Sequence, residues 1–245
     1  MLSKTISFQT DSELMVELKE AHPKPAMAML PDWFKKLKEQ HNNTDLKTIR
    51  MCKPFLDSLS AGYFITAVKD VEMKTFSDDQ GKEDYKDVIG GLSEHIRYKH
   101  GIKTNSYGGE WHPKEQLGGE CPYHKHNNQR NYWKFLNQWL IKTPPGYSCL
   151  FVPVLNEINE DFYTLSGIVD TDKFHEVNFP MVLFNKETTI KQGTKIVQVI
   201  PFKRENWNMK VEYVDKIHFE KEVIKHSLVK QYYYKLKCWS QKKWR

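Results

Sequence analysis

The chain has 245 residues, room for one sizeable core with appendages, and its apolar runs stay well short of the ~18 consecutive residues of a membrane span. Cys52, Cys121, Cys149 and Cys238 form no CxxC pair, and residues 1–20 lack the apolar core and cleavage site of a secretory signal, so the expectation is a soluble cytoplasmic protein with reduced thiols. The formal charge of +6 is uneven: residues 203–245 carry twelve Lys/Arg against five Asp/Glu, a net +7, and residues 1–202 carry −1, a distribution that fits a docking tail at least as well as nucleic-acid binding.

In chain order, the first patterned stretch is "PAMAMLPDWFKKLKEQHNN", where Pro31 and Asp32 open a helix whose apolar face is Trp33, Phe34 and Leu37. Such a short amphipathic helix either caps one end of a β-core or binds a partner. Tyr63, Ile65, Ala67, Val71 and Met73 then predict strands after a small-residue turn at Ser60, Ala61 and Gly62. Residues 77–92 are acidic and glycine-punctuated, an exposed loop, and residues 93–130 read as loops and short strands; together they make a His/Gly-rich insertion at about 77–135. "QWLIKTPPGYSCLFVPVLN" gives a strand, a turn at Pro144, Pro145 and Gly146, and a second strand in which Tyr147, Cys149 and Phe151 alternate with Ser148, Leu150 and Val152. Strands separated by tight polar turns continue over residues 162–202. From Asp215, Ile217, Ile224, Leu228, Tyr232 and Trp239 recur near helical spacing among lysines, which predicts a long basic amphipathic helix. The expected organisation is therefore mainly β, with an N-terminal helical appendage (1–50), a β-rich core (51–202) and a basic helical tail (203–245).

Three stretches offer chemistry. In "GIVDTDKFHEVNFPMVLFN", Asp170 and Asp172 share a face if the segment is a strand and form a paired acid site; in a turn their oxygens instead cap nearby backbone amides. Roughly two to one, the turn is favoured. His112, Cys121, His124 and His126 supply imidazole and thiolate in a compact stretch, which can wrap one zinc or iron ion, with His124 and His126 on one face if the segment is a strand. The bland alternative is exposed loop histidines, and no other feature calls for a cofactor. The tail "VKQYYYKLKCWSQKKWR" interleaves aromatics with lysines, the composition of a nucleic-acid stacking surface and equally of a helix packed on a protein partner.

Read together, "SAGYFI" (60–65), "IKTPPGYSCLFVP" (141–153), "GIVDTD" (167–172), "EVNFPMVLFN" (176–185) and "IKQGTKIVQVI" (190–200) resemble the successive motifs of the deoxyuridine triphosphatase family. The resemblance implies a β-clip or jelly-roll-like core and places Asp170 at the family's water-activating aspartate. It also implies that the activity is absent: Phe64 stands at the acidic position of the first motif, Lys173 and His175 replace the hairpin's tyrosine and glycine, "PVLNEINE" replaces the arginine-serine phosphate motif, and the tail has no glycine-rich arm. Over most of its length the chain is also similar to a family found in tailed phages and some bacteria, through "LPDWFKK", "CKPFLDSLSAGYFI", "EWHPKEQ", "IKTPPGYSCLF", "GIVDTD" and "GTKIVQVIPFKRENW". That similarity implies a phage-like context in a host-cell cytoplasm or a virion. The expected function is a non-enzymatic structural or interaction protein that assembles with itself or with virion components through its tail. The alternative is a metal-dependent or nucleotide-acting enzyme, a hydrolase, deaminase or oxygenase, using the histidine-rich insertion or Asp170.

Overall fold

The valine and isoleucine run "KIVQVI" forms the spine of the larger sheet. In the computed structural model, which describes residues 4–42, 44–77, 83–88, 109–126, 132–185, 187–227 and 234–244, the strand Lys195–Lys203 pairs antiparallel with Tyr147–Val152 on one side and Tyr63–Thr66 on the other. Gly167–Val169 extends the sheet beyond Tyr147–Val152. A second sheet runs in the order Phe162–Thr164, Phe179–Leu183, Tyr132–Phe135, Gly109–His112. Among the described residues there are also two small sheets: Val71–Ser77 between Glu187–Ile190 and Glu83–Val88, and Ser7–Gln9 against Leu140–Lys142. The protein is mainly β, with antiparallel pairing throughout.

Side chains from both larger sheets build one core. Ile65, Phe151, Val197 and Val199 come from the first, Trp133, Phe135, Phe179 and Met181 from the second, and Phe179 joins them, its ring 5.6 Å from that of Phe151 and 6.3 Å from that of Phe135. β-Branched residues suit such doubly covered strands because their stiff side chains lose little freedom on a pleated surface. The buried amide of Gln198 is satisfied where its Oε1 accepts from the Leu155 N–H at 3.0 Å. Gly62 is obligatory at the entry to the sheet: its φ is +68°, and a β-carbon there would lie 1.9 Å from the Val199 carbonyl oxygen. Gly146, at φ +82°, occupies the third position of a type II turn closed by the Tyr147 N–H on the Pro144 carbonyl at 3.2 Å.

The chain forms two compact units. One unit comprises Met1–Lys24 and Gly62–Lys203; the other comprises Pro25–Ala61 and Arg204–Arg245. Pairing of Ser7–Gln9 with Leu140–Lys142 draws the N-terminal residues into the β unit. Within the second unit, Trp33, Phe34 and Phe55 form an aromatic cluster with ring separations of 5.6, 5.9 and 6.2 Å, and Arg50 donates to the carbonyls of Phe34 and Lys35 at the end of the helix Asp32–Lys36. Phe34 is buried, whereas Trp33 of the expected apolar face stays 48 % exposed. The helix Lys53–Ser60 lay outside the sequence expectation although its signals were present: Pro54 in the first turn, with Phe55, Leu56 and Leu59 on one side. Its Asp57 carboxylate accepts from Trp239 Nε1 at 3.0 and 3.1 Å and from Lys242 Nζ at 2.6 Å, while Lys53 Nζ lies 5.2 Å from the Trp239 ring centre. The end of the tail therefore packs within its own unit.

The described part of the tail includes the helix Lys216–Ser227, started by Asp215, whose carboxylate accepts from the His218 N–H at 2.9 Å, and a π-helical turn over Tyr234–Cys238. Of the expected apolar stripe, Ile217 is 67 % exposed, Trp239 sits against Asp57, and Leu228 and Tyr232, with the side chain of Ile224, lie outside the described residues. Among the described residues no helix is long and apolar enough to cross a membrane.

Candidate functional site

The segment Val169–Phe174 is a corner at which the chain leaves one sheet for the other. Gly167–Val169 pairs with Tyr147–Val152, and the continuation Phe179–Leu183 pairs instead with Tyr132–Phe135 and Phe162–Thr164, so the expected hairpin between the two is not formed. The turn is closed by the Asp170 carbonyl, which accepts from the N–H groups of Lys173 and Phe174 at 2.8 and 2.9 Å. The acidic side chains reach the neighbouring Pro-Pro-Gly turn and the strand that follows it. Asp170 Oδ1 accepts from the Ser148 hydroxyl at 2.6 Å, and Asp172 Oδ2 accepts from the Gly146 N–H at 2.8 Å. Between them the fully buried Thr171 places its hydroxyl 2.8 Å from that of Thr143 and 3.3 Å from Cys149 Sγ. Burial pushes the Cys149 thiol up to about 11, against the smaller opposing effect of the Thr171 hydrogen bond. This arrangement ties two turns together, the structural use of aspartate oxygens, and Asp170 itself is exposed on the protein surface.

The histidines of the insertion are spread over different elements. His112 ends the strand Gly109–His112, its Nδ1 donating to Gln116 Oε1 at 3.0 Å and its ring stacked 5.3 Å from that of Tyr132, whose hydroxyl donates to the same Gln116 oxygen at 2.9 Å. Residues Pro122–His126 are helical, not a strand, so positions 124 and 126 diverge by about 200° around the axis and the strand-type His-x-His pair is not formed. The helix is set by the His124 N–H donating to the Cys121 carbonyl at 2.9 Å. The side chain of His126 lies outside the described residues; among those described, no three His, Cys, Asp or Glu side chains converge as a metal-holding group. The Nδ1 of His124 is buried without a hydrogen bond.

Two features that sequence reasoning passed over stand out beside these. The first is a cavity of about 590 Å³ lined chiefly by apolar side chains, among them Pro153, Val154, Phe162, Phe184 and Ile196. One wall is an ion pair of Lys195 with Glu157, both largely covered, and the ammonium also lies 4.7 Å from the Phe64 ring centre. Tyr163, another lining residue, is stacked 5.3 Å from Tyr123 of the insertion; the hydrogen bond between their hydroxyls is the main reason the Tyr123 phenol is held above its ordinary pKa. The cavity borders the stretch "PVLNEINE" noted for its departure from a phosphate motif, but what makes it concave is long-range pairing that no local pattern announces.

The second is an arm. Residues 205–223 are all exposed, and they include Trp207 at 85 %, Met209 at 92 %, Val211 at 85 % and Tyr213 at 91 %, followed by Ile217, Phe219 and Val223 on the helix. The signal was legible in "ENWNMKVEYV", where apolar residues fall on every second position as in a strand, yet no strand is assigned there.

No protein-family profile matches the chain, and no curated protein matches it.

Proposed function

We propose that this chain is a non-enzymatic structural or interaction protein of phage-like origin, with a deoxyuridine-triphosphatase-like β-clip core, that assembles with copies of itself or with particle components through the segment after Lys203. The observation that carries the reading is the exposed arm. Monomeric proteins rarely leave a run of large apolar side chains such as Trp207, Met209, Val211 and Tyr213 in water, because each would stabilise the protein by ~1.5–3 kcal/mol if covered. The net +7 of residues 203–245 lies beyond the arm, at residues 224–245, and suits an acidic partner surface. The acid corner supports the same reading from the other side, since Asp170 and Asp172 are engaged in hydrogen bonds that join two turns.

Sedimentation of the purified protein over a concentration series tests this. The full chain is expected to self-associate, and a variant with Trp207, Met209, Val211 and Tyr213 all replaced by serine is expected to stay folded and monomeric. A full chain that remains monomeric at every concentration, with no binding to particle components, contradicts the reading. A companion assay with deoxyuridine triphosphate is expected to release no pyrophosphate. Release that vanishes in Asp170→Asn would restore the enzyme reading.

A second reading, a metal-dependent enzyme built on the histidine-rich insertion, draws on the buried and unbonded Nδ1 of His124 near Cys121. Zinc or iron is the chemistry those donors suit. Elemental analysis separates the two readings: stoichiometric metal lost in His124→Ala supports the insertion as its site, and metal-free protein that still assembles supports the interaction protein.

A further inference from the structure

We propose that residues 224–245, clasped near their end to the helix Lys53–Ser60, are a nucleic-acid-binding surface that holds the phosphate backbone without reading its sequence. The inference rests on the reading above that the segment after Lys203 engages partners, and it names the acidic one. Two parts of that segment differ in charge. Residues 205–223, with the large exposed apolar side chains, carry three Lys against five Asp/Glu, the mixed signs of a protein contact; residues 224–245 carry seven Lys/Arg and no Asp/Glu. An uninterrupted run of one sign repels itself and matches a partner whose charge is equally uninterrupted. A nucleic-acid duplex is such a partner, with one phosphate charge per ~1.7 Å of axis, whereas protein surfaces intersperse both signs. Tyr232, Tyr233, Tyr234 and Trp244 stand among the lysines in the sequence, as in proteins that follow a phosphate backbone and stack on bases of any identity.

The structure adds position to this composition. The turn Tyr234–Cys238 is closed where the Trp239 N–H donates to the Tyr234 carbonyl at 2.7 Å. Asp57 then holds the indole, accepting from Trp239 Nε1 at 3.0 and 3.1 Å, and Lys53 Nζ lies 5.2 Å from the ring centre. Lys242 donates to the same carboxylate at 2.6 Å, so its charge is already matched. Lys235, Lys237 and Lys243 differ: all three are exposed, and among the described residues none has a carboxylate partner. Lysines on a backbone fixed by this clasp meet phosphates with less chain entropy left to lose than on a free tail. As point charges on flexible stems they neutralise phosphates and present no planar fork to a base edge, so binding should not depend on sequence. The rest of the unit shares their sign. Pro25–Ala61 with Arg204–Arg245 holds seventeen Lys/Arg against nine Asp/Glu, a net +8, and the other unit holds twenty against twenty-two, a net −2.

Fluorescence anisotropy of the full chain with labelled DNA duplexes, followed over a salt series, tests the proposal. Two duplexes of unrelated sequence are expected to bind with equal affinity, log K falling linearly against log salt. Replacing Lys235, Lys237 and Lys243 together by glutamine is expected to weaken binding about 100-fold at ~0.1 M salt and to make the slope shallower by about 2 to 3, because each phosphate contact contributes ~0.9. All three side chains are exposed and the arm is untouched, so this variant should melt and self-associate as the unaltered chain does. Polyglutamate added at the same charge concentration should not displace the DNA. No binding at low salt, or a slope unchanged in the triple variant, overturns the proposal. Displacement by polyglutamate also overturns it and gives the surface to an acidic protein. Sedimentation of the same samples scores assembly through the arm separately, so a chain that assembles without binding DNA loses this inference and keeps the broader reading.

Discussion

Two consecutive stretches of this chain are both rich in apolar residues and have opposite fates. Lys195–Lys203 is a nearly continuous apolar run and residues 205–214 carry apolar residues on alternate positions, the two separated only by Arg204. In the first, Ile196, Val197 and Val199 are no more than 1 % exposed; in the second, Trp207, Met209, Val211 and Tyr213 are at least 85 % exposed. The difference is not propensity but partnership. The first stretch has strands on both sides, Tyr147–Val152 and Tyr63–Thr66, that satisfy its backbone and cover its side chains. A strand pattern becomes a strand only where another backbone meets it.

The contrast can be broken or sharpened by substitution. Trp133→Ala in the fully buried core is expected to cost about 3–5 kcal/mol in chemical denaturation, whereas Trp207→Ala, at the same residue type, should change stability of the dilute protein by less than about 0.5 kcal/mol. Equal costs at the two tryptophans would erase the distinction. Gly62→Ala comes next, with a loss of at least about 3 kcal/mol, since its positive φ and the Val199 carbonyl leave no room for a β-carbon. Thr171→Val should cost about 1 kcal/mol by depriving Thr143 and Cys149 of their partner, without affecting assembly.

The smallest effect concerns protons. Because burial raises the Cys149 thiol to about 11, its contribution is fully present below the unfolded thiol's ordinary value and is lost as pH climbs toward the folded value. Stability should therefore fall as pH rises above ~9. At pH 8, iodoacetamide should modify the exposed Cys238 rapidly and Cys149 only after unfolding. Equal reactivity of the two thiols would show that the β core is not closed at the acid corner.

How much of this was legible in the sequence follows from the range of each cause. The strands around Tyr63, Tyr147, Phe179 and Lys195, and the Pro-Pro-Gly turn, come from local alternation and turn chemistry and could be read directly. Which strand meets which could not: the corner at Asp170 looks like a hairpin locally, and only long-range pairing sends Phe179–Leu183 to the other sheet. The His124 and His126 positions were read on a strand, but Pro122 at a helix start and the Cys121 carbonyl set a helical turn there. In the tail, helical spacing was followed as far as Trp239, whose place is set by Asp57, far away in sequence.

The central claim is that residues 205–214 are uncovered in the single chain and covered in its assembly. Hydrogen–deuterium exchange at increasing protein concentration tests it directly, amide by amide. The account predicts exchange of these amides within seconds at high dilution and strong protection once the protein associates, in step with the mass measured by sedimentation. Protection that is already complete in the dilute monomer, or assembly that leaves these amides unprotected, would contradict it.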